Sequence, residues 1–97
     1  MLAGCDCVRT VSATVLDQDT KAPLQQVEVR ERHGDGTYEE LSLTTDEAGL
    51  FEFRDISGGI RKCPDVELHF AKKGYVPVDR TFPSATAGDT VFMKVQR

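Results

Sequence analysis

A chain of 97 residues with a formal net charge of −4 has room for one domain built around one hydrophobic core. Its 12 basic residues are scattered and outnumbered by 16 acidic ones, which argues against nucleic acid as a partner. The apolar runs fall far short of the ~20 residues that cross a bilayer as a helix, and the chain lacks tryptophan, the residue most often used to stack on sugars.

Alternation of apolar and polar residues predicts an all-β chain of short strands. We expect seven strands, at residues 9–17, 26–32, 38–45, 50–54, 66–70, 76–82 and 90–96. The side chains expected to face the core alternate along them: Val11, Ala13, Val15, Val27, Val29, Leu41, Leu43, Phe51, Phe53, Val66, Leu68, Phe70, Val91, Met93 and Val95. Burying one face of every strand requires a second sheet, so the pattern predicts a two-sheet antiparallel sandwich, with a barrel as the alternative closure.

A polar turn separates the third and fourth predicted strands. Asp46 is expected to accept hydrogen bonds from backbone amides of this turn, and Gly49 is expected to adopt a positive φ. Because Leu41 and Leu43 share a face before the turn and aromatic residues alternate after it, we interpret residues 41–53 as a β-hairpin with one buried face.

Two later connections are also expected to have structural roles. Residues 55–64 are rich in glycine and bounded by proline, which predicts the longest irregular connection of the chain. Gly74 is expected to allow the tight turn that folds Tyr75 back onto the sandwich.

The chain has three cysteines, Cys5, Cys7 and Cys63. If Cys5 is used for lipid attachment, as a motif described below implies, Cys7 and Cys63 remain to pair. An oxidising compartment such as the periplasm permits that disulfide. Three free thiols are the alternative. A zinc site is disfavoured, because the spacing of Cys5 and Cys7 is too tight for the usual structural zinc patterns and only Cys63, His33 and His69 could complete it.

Four motifs occur in a fixed order along the chain: Val11-x-Ala13-x-Val15-x-Asp17, Thr20-x-x-Pro23-Leu24-x-x-Val27-x-Val29, Thr45-Asp46-Glu47-x-Gly49-x-Phe51-x-Phe53 and Lys73-Gly74-Tyr75. Together they resemble the carboxypeptidase regulatory-like domain, a family with a transthyretin-like β-sandwich, over residues 9–95. The chain departs from the family pattern at Ala13 and at Lys21-Ala22, where glycines are common. The resemblance implies a non-catalytic module that stabilises, spaces or binds, of the kind found beside peptidases, in surface proteins and at the start of outer-membrane receptors.

The segment Leu2-Ala3-Gly4-Cys5 resembles the lipobox of bacterial lipoproteins, in which cleavage occurs before an acylated cysteine. This resemblance implies that Cys5 is a lipid attachment site, that residues 1–8 are a lipobox remnant and tether, and that residues 9–97 are the sandwich domain. The basic region and apolar stretch of a signal peptide do not precede the motif, so a truncated start and a chance match are both open.

Enzymes of related fold are the main alternatives. The passage Val15-Leu16-Asp17 is similar to one in 5-hydroxyisourate hydrolase, but that enzyme has a histidine where Thr14 stands and ends in a Tyr-Arg-Gly-Ser motif that is absent here. Intradiol dioxygenases bind iron through paired tyrosines and histidines. This chain offers four such residues in unconnected sequence contexts: Tyr38, Tyr75, His33 and His69.

Two further site types are disfavoured. Asp17 and Asp19 could begin a calcium site, but calcium takes six to eight oxygen ligands and no loop here supplies a dense run of them. An intramolecular isopeptide bond, known in adhesin domains of similar shape, is not expected, because the first strand has no lysine and the chain has no asparagine.

We therefore predict a bacterial cell-envelope module, a periplasmic or outer-membrane lipoprotein with a structural or protein-binding role, and without catalytic residues, metal or cofactor. Its expected partners are an unidentified envelope protein and the membrane, through a lipid on Cys5. A carbohydrate-binding module that stacks sugars on Tyr38 or Tyr75 is the alternative, and a transthyretin-like hydrolase is a more distant one.

Overall fold

Seven strands make up the part of the chain that the computed structural model describes, residues 6–58 and 63–96. They are β1 Asp6–Asp17, β2 Glu28–Glu31, β3 Leu43–Thr44, β4 Leu50–Gly58, β5 Val66–Ala71, β6 Val78–Phe82 and β7 Ala85–Met93. A three-stranded sheet has the order β4-β1-β7, and a four-stranded sheet has the order β3-β2-β5-β6. The prediction of an all-β, two-sheet sandwich is confirmed. Only the pairing of β1 with β7 is parallel among these strands.

The core lies between the two sheets and is filled by the alternating residues of both. Phe70 is fully buried and makes edge-to-face contacts with Phe51 and Phe82, at ring-centroid distances of 5.5 Å and 6.4 Å. The remaining buried apolar side chains of this cluster are Val11, Ala13, Val15, Leu24, Val27, Val29, Val66, Leu68, Val91 and Met93. Most of the predicted inward positions are thus confirmed.

The predicted burial of Leu41 and Leu43 is wrong. Leu41 is 82% exposed and Leu43 is 37% exposed. Five residue steps separate Tyr38 from Leu43, but only three separate their partners Arg32 and Val29 on the facing segment. The chain between these two pairings therefore bulges away from the sheet, and the regular third strand is reduced to the two residues of β3.

The predicted β-hairpin at residues 41–53 is also wrong. β3 and β4 belong to different sheets, so the turn at residues 45–49 carries the chain across the sandwich. Thr45 stabilises the start of this crossing. Its buried hydroxyl donates to the carbonyl of Leu24 at 2.6 Å and accepts from the amide of Val27 at 3.0 Å. On the other side, the amide of Val15 donates to the carbonyl of Gly49 at 2.8 Å, which starts the pairing of β4 with β1.

Three strands extend at one end by three or more residues beyond their predicted bounds. β1 begins at Asp6, so residues 6–8 belong to the sheet and not to the predicted tether, and they pair with residues 56–58 of β4. That pairing extends β4 into the predicted irregular connection of residues 55–64, of which 59–62 lie outside the described residues. β7 begins at Ala85, because it pairs in parallel with β1 from Thr10 onward despite its small polar residues. The described residues contain no helix that is long and apolar enough to cross a membrane.

Candidate functional site

One end of the sandwich brings together the cysteines and a buried ion cluster. Cys7, in β1, is 7% exposed and forms a disulfide with Cys63, which lies just before β5; their Cα atoms are 5.3 Å apart. Because β1 and β5 belong to different sheets, this bond ties the sheets together. Cys5 lies outside the described residues, and the residue after it, Asp6, begins β1.

Arg9 is the centre of the ion cluster. Its guanidinium contacts the carboxylates of Glu31 at 2.9 Å and Asp55 at 2.5 Å, and it also donates to the carbonyl of Asp65 at 3.3 Å. Burial opposes the charge of Arg9, but the hydrogen bond to Asp55 and the charge of Glu31 outweigh it and raise the pKa of Arg9. Since Glu31 lies in the sheet opposite Arg9 and Asp55, the cluster is a second connection between the two sheets.

A groove opens beside this cluster, between the β3 edge of one sheet and the β4 edge of the other. We call it the edge groove; its volume is about 270 Å³. It is lined by apolar and charged side chains together with one serine: Val29, Glu31, Glu39, Leu41, Ser42, Leu43, Phe53, Arg54 and Asp55. The exposed Leu41 at this groove leaves apolar surface available for contact with another molecule.

At the opposite end of the sandwich, Asp17 forms hydrogen bonds with Tyr75 and with the turn that follows β1. The Tyr75 hydroxyl donates to Asp17 Oδ2 at 2.7 Å, and the amides of Asp19 and Thr20 donate to Asp17 Oδ1 at 2.8 and 3.0 Å. The hydrogen bonds from the Thr20 amide and the Tyr75 hydroxyl lower the pKa of Asp17. The hydrogen bond between Tyr75 and Asp17 also raises the pKa of Tyr75. Oδ1 of Asp17 therefore stabilises the turn after β1, and Oδ2 connects that turn to Tyr75.

The predicted turn residues take up separate positions. Asp46 Oδ1 accepts hydrogen bonds from the amides of Ala48 and Leu50, both at 2.9 Å, and Gly49 has φ +77°. Gly74 has φ +90° and precedes Tyr75, whose amide donates to the carbonyl of Lys72 at 3.0 Å. These residues shape turns and do not converge on a common site.

The outer face of the four-stranded sheet joins residues that are distant in sequence. His69 Nδ1 lies 2.6 Å from Asp79 Oδ1, and the ring of His69 lies 4.9 Å from that of Tyr38. His33 lies elsewhere, with its Nε2 atom 3.1 Å from a carboxylate oxygen of Glu39. Tyr38 and His69 are 31 residues apart in the sequence, and no motif links them. The outward position of His69 follows from the inward positions of Leu68 and Phe70, but its contact with Tyr38 depends on the pairing between strands.

The described residues contain no group of three or more histidine, cysteine or acidic side chains placed to hold a metal ion. Tyr38 and Tyr75 have different partners, because Tyr38 packs against His69 and Tyr75 binds Asp17. The paired tyrosines and histidines of an iron site are thus not brought together among these residues.

No protein-family model matches the chain, and no curated protein matches it in sequence. Solved structures share its fold. Shaft pilin SpaA from Lactobacillus rhamnosus GG superposes with a TM-score of 0.72 over 93% of this chain at 13% identity, and the group B streptococcus pilus 2b backbone protein with 0.62 over 90% at 18% identity. A 3-chlorocatechol 1,2-dioxygenase from Rhodococcus opacus gives 0.63 over 92% at 14% identity. The chain spans 48%, 41% and 60% of these three structures, respectively.

Proposed function

We propose that this chain is a non-catalytic β-sandwich module of a bacterial cell envelope, with a structural or protein-binding role. The proposal rests on the contacts that the charged side chains make, because these contacts hold parts of the fold together. Arg9, Glu31 and Asp55 join the two sheets, and Asp17 with Tyr75 closes the opposite end. Polar groups of this kind stabilise a scaffold, while the edge groove offers apolar surface for a protein partner.

The fold gives this proposal further support. Two of the structures that share it are described as a shaft pilin and a pilus backbone protein. A role like that of the carboxypeptidase regulatory-like domain is the finer form of the proposal. It draws on the ordered motifs, whose Thr45, Asp46 and Gly49 form the crossing between the sheets.

A lipid on Cys5 is the proposed attachment to the membrane. The disulfide between Cys7 and Cys63 fits an oxidising compartment such as the periplasm. Because β1 starts at the residue after Cys5, an acyl group there would hold the sandwich directly against the bilayer, without a flexible linker. A single acyl chain binds a membrane only weakly, so stable attachment requires more than one chain.

The test is to isolate the native protein from its bacterium and determine the mass of its N-terminal peptide. We expect diacylglycerol on Cys5 and recovery of the protein in the membrane fraction. Cys5→Ser should move the protein to the soluble fraction. A matched variant, Ser12→Ala, keeps Cys5 and should remain with the membrane. Unacylated Cys5 in the native protein would refute the lipid anchor.

A carbohydrate-binding module is the second candidate, and one observation favours it. Tyr38 is 44% exposed and packs against His69, which in turn contacts Asp79, so an aromatic surface lies next to groups that could hydrogen-bond to hydroxyls. Tyr75 is less suited to this role, because its hydroxyl is bound to Asp17. A glycan array should give a signal that Tyr38→Ala abolishes and Tyr75→Phe retains. An array without signal would remove this candidate.

A further inference from the structure

One edge of the three-stranded sheet is formed by β4, and the other by β7. Leu50 turns both of its backbone groups away from β1, because its amide donates to Asp46 Oδ1 at 2.9 Å and its carbonyl accepts from the Asp46 amide at 3.0 Å. Alternate residues of an antiparallel strand present their backbone groups on the same edge. The amides and carbonyls of Glu52, Arg54 and Ile56 therefore also face outward, and they have no backbone partner among the described residues.

The side chains of these same residues are exposed on the outer face of the sheet. Glu52 and Arg54 are exposed, and Leu50 and Ile56 are 48% and 62% exposed. An exposed strand edge is a template for another strand, and charged side chains on it control which strand can pair. The pattern along the edge is thus apolar, acidic, basic and apolar.

This pattern is complementary to itself in one antiparallel register. When two copies of β4 are centred on Phe53, Glu52 of each copy lies opposite Arg54 of the other. Leu50 of each copy then lies opposite Ile56 of the other. Opposite charges and apolar pairs directly across two strands stabilise a sheet.

The neighbouring registers with matching hydrogen bonds are unfavourable. Centring the pair on Arg54 places two arginines opposite each other, and centring it on Glu52 places two glutamates opposite each other. Like charges directly across two strands are destabilising. The edge therefore selects the register centred on Phe53.

From this geometry we infer that the chain forms a symmetric dimer by pairing β4 with β4 of a second copy. The outward amides and carbonyls of Glu52 and Arg54 supply about four backbone hydrogen bonds across the symmetry axis. Those of Leu50 are already used by Asp46, which limits the ladder to its centre. The inference stands independently of the proposed location in the cell envelope.

The position of the edge groove supports a second copy of the chain as the molecule that covers it. A two-fold axis perpendicular to the joined sheet places the four-stranded sheets of both copies on the same side of it. The groove of each copy then faces that of the other across the axis. Exposed Leu41 and partly buried Phe53 of both copies become neighbours, which gives the apolar surface of the groove a partner.

Sedimentation velocity of the full chain tests the dimer, with Cys5→Ser in every sample to prevent oxidation between copies. We expect a reversible dimer in the parent protein. Glu52→Arg and Arg54→Glu each place like charges across the axis twice, so each should raise the dimer Kd by about tenfold or more. The double variant, Glu52→Arg with Arg54→Glu, restores opposite charges and should dimerise like the parent.

The two single variants provide a sharper test when they are mixed. Two copies of the same single variant place like charges opposite each other. In the mixture, the two arginines of Glu52→Arg lie opposite the two glutamates of Arg54→Glu, so native mass spectrometry should detect a heterodimer. Asp19→Arg, which makes the same charge change as Glu52→Arg but at an exposed turn, is the matched control and should dimerise normally. A parent protein that stays monomeric at about 1 mM, or a dimer that neither single variant weakens, would overturn the inference. Failure of the double variant and of the mixture to associate would overturn the register.

Discussion

Removing the disulfide between Cys7 and Cys63 should destabilise the domain by about 4 kcal/mol. The bond closes a loop across a sequence separation of 56 residues, and the loss of chain entropy in the unfolded state grows with the logarithm of the loop length. The bond also joins β1 of one sheet to the start of β5 in the other, so it restrains the unfolded chain between distant parts of the fold.

The measurement is urea unfolding followed by circular dichroism. The double variant Cys7→Ala with Cys63→Ala, in a Cys5→Ser background, is compared with Cys5→Ser alone. We expect the free energy of unfolding in water to fall by about 4 kcal/mol. A domain of this size should then melt lower by about 4–8 °C for each kcal/mol. A reducing agent should produce the same fall in the Cys5→Ser protein and no change in the double variant.

A different outcome would refute the reasoning in a defined way. If the oxidised Cys5→Ser protein contained two titratable thiols, Cys7 and Cys63 would not be bonded. If the bond formed but its removal cost less than about 1 kcal/mol, the Arg9 cluster and the strand pairings would already confine that end of the chain. An increase in the m-value should accompany the loss of stability, because the unfolded chain without the bond is less compact.

Four further substitutions test the turn, the ion cluster and the Asp17–Tyr75 contact. Gly49→Ala should cost more than about 2 kcal/mol in urea unfolding, because its φ is +77° and the new Cβ would lie 2.6 Å from a β1 carbonyl oxygen; Gly34→Ala, with no atom within 4 Å, is the near-neutral control. Arg9→Leu should cost about 3 kcal/mol by the same assay, because it leaves two carboxylates without their partner. Asp17 has a lowered pKa, so its contribution is complete above about pH 4 and is lost as the pH falls through its folded-state pKa. Asp17→Asn, and to a smaller extent Tyr75→Phe, should flatten that acid-side fall in stability; unchanged pH profiles would contradict the assignment.

Local patterns account for the parts of the fold that could be predicted. Val66, Leu68 and Phe70 alternate because a strand with one buried face has a period of two, and this holds whichever strands lie beside it. Asp46 and Gly49 shape their turn through contacts within a few residues, so residue type was informative there too.

Pairing between distant segments accounts for what could not be predicted. Leu41 follows the same alternation as the buried residues, but it is exposed. The chain from Tyr38 to Leu43 contains more residues than the segment that it faces, from Val29 to Arg32, so it bulges away from the sheet. The contact of His69 with Asp79 requires the register between β5 and β6. The edge pattern of β4 likewise has meaning only once β4 is known to lie at a sheet edge.

A lipid on Cys5 and dimerisation through β4 constrain each other. Asp6 pairs with Gly58, so each lipid would lie beside the end of β4. In the register centred on Phe53, the two copies of Gly58 lie about 33 Å apart along the strand direction. One bilayer can hold both lipids only if the strands run along its surface, so the anchored dimer should lie flat.

Neutron reflectometry of the lipidated protein on a supported bilayer measures this orientation. The long dimension of the chain is 52 Å and its shorter dimensions are 26 and 18 Å. A flat dimer should form a protein layer close to the shorter dimensions, whereas lipidated Glu52→Arg, which should not dimerise, is free to stand with its strands upright and form a thicker layer. A parent layer of 52 Å would show that attachment to one membrane and pairing through β4 do not occur together, because an upright antiparallel dimer holds one of its two lipids away from the bilayer.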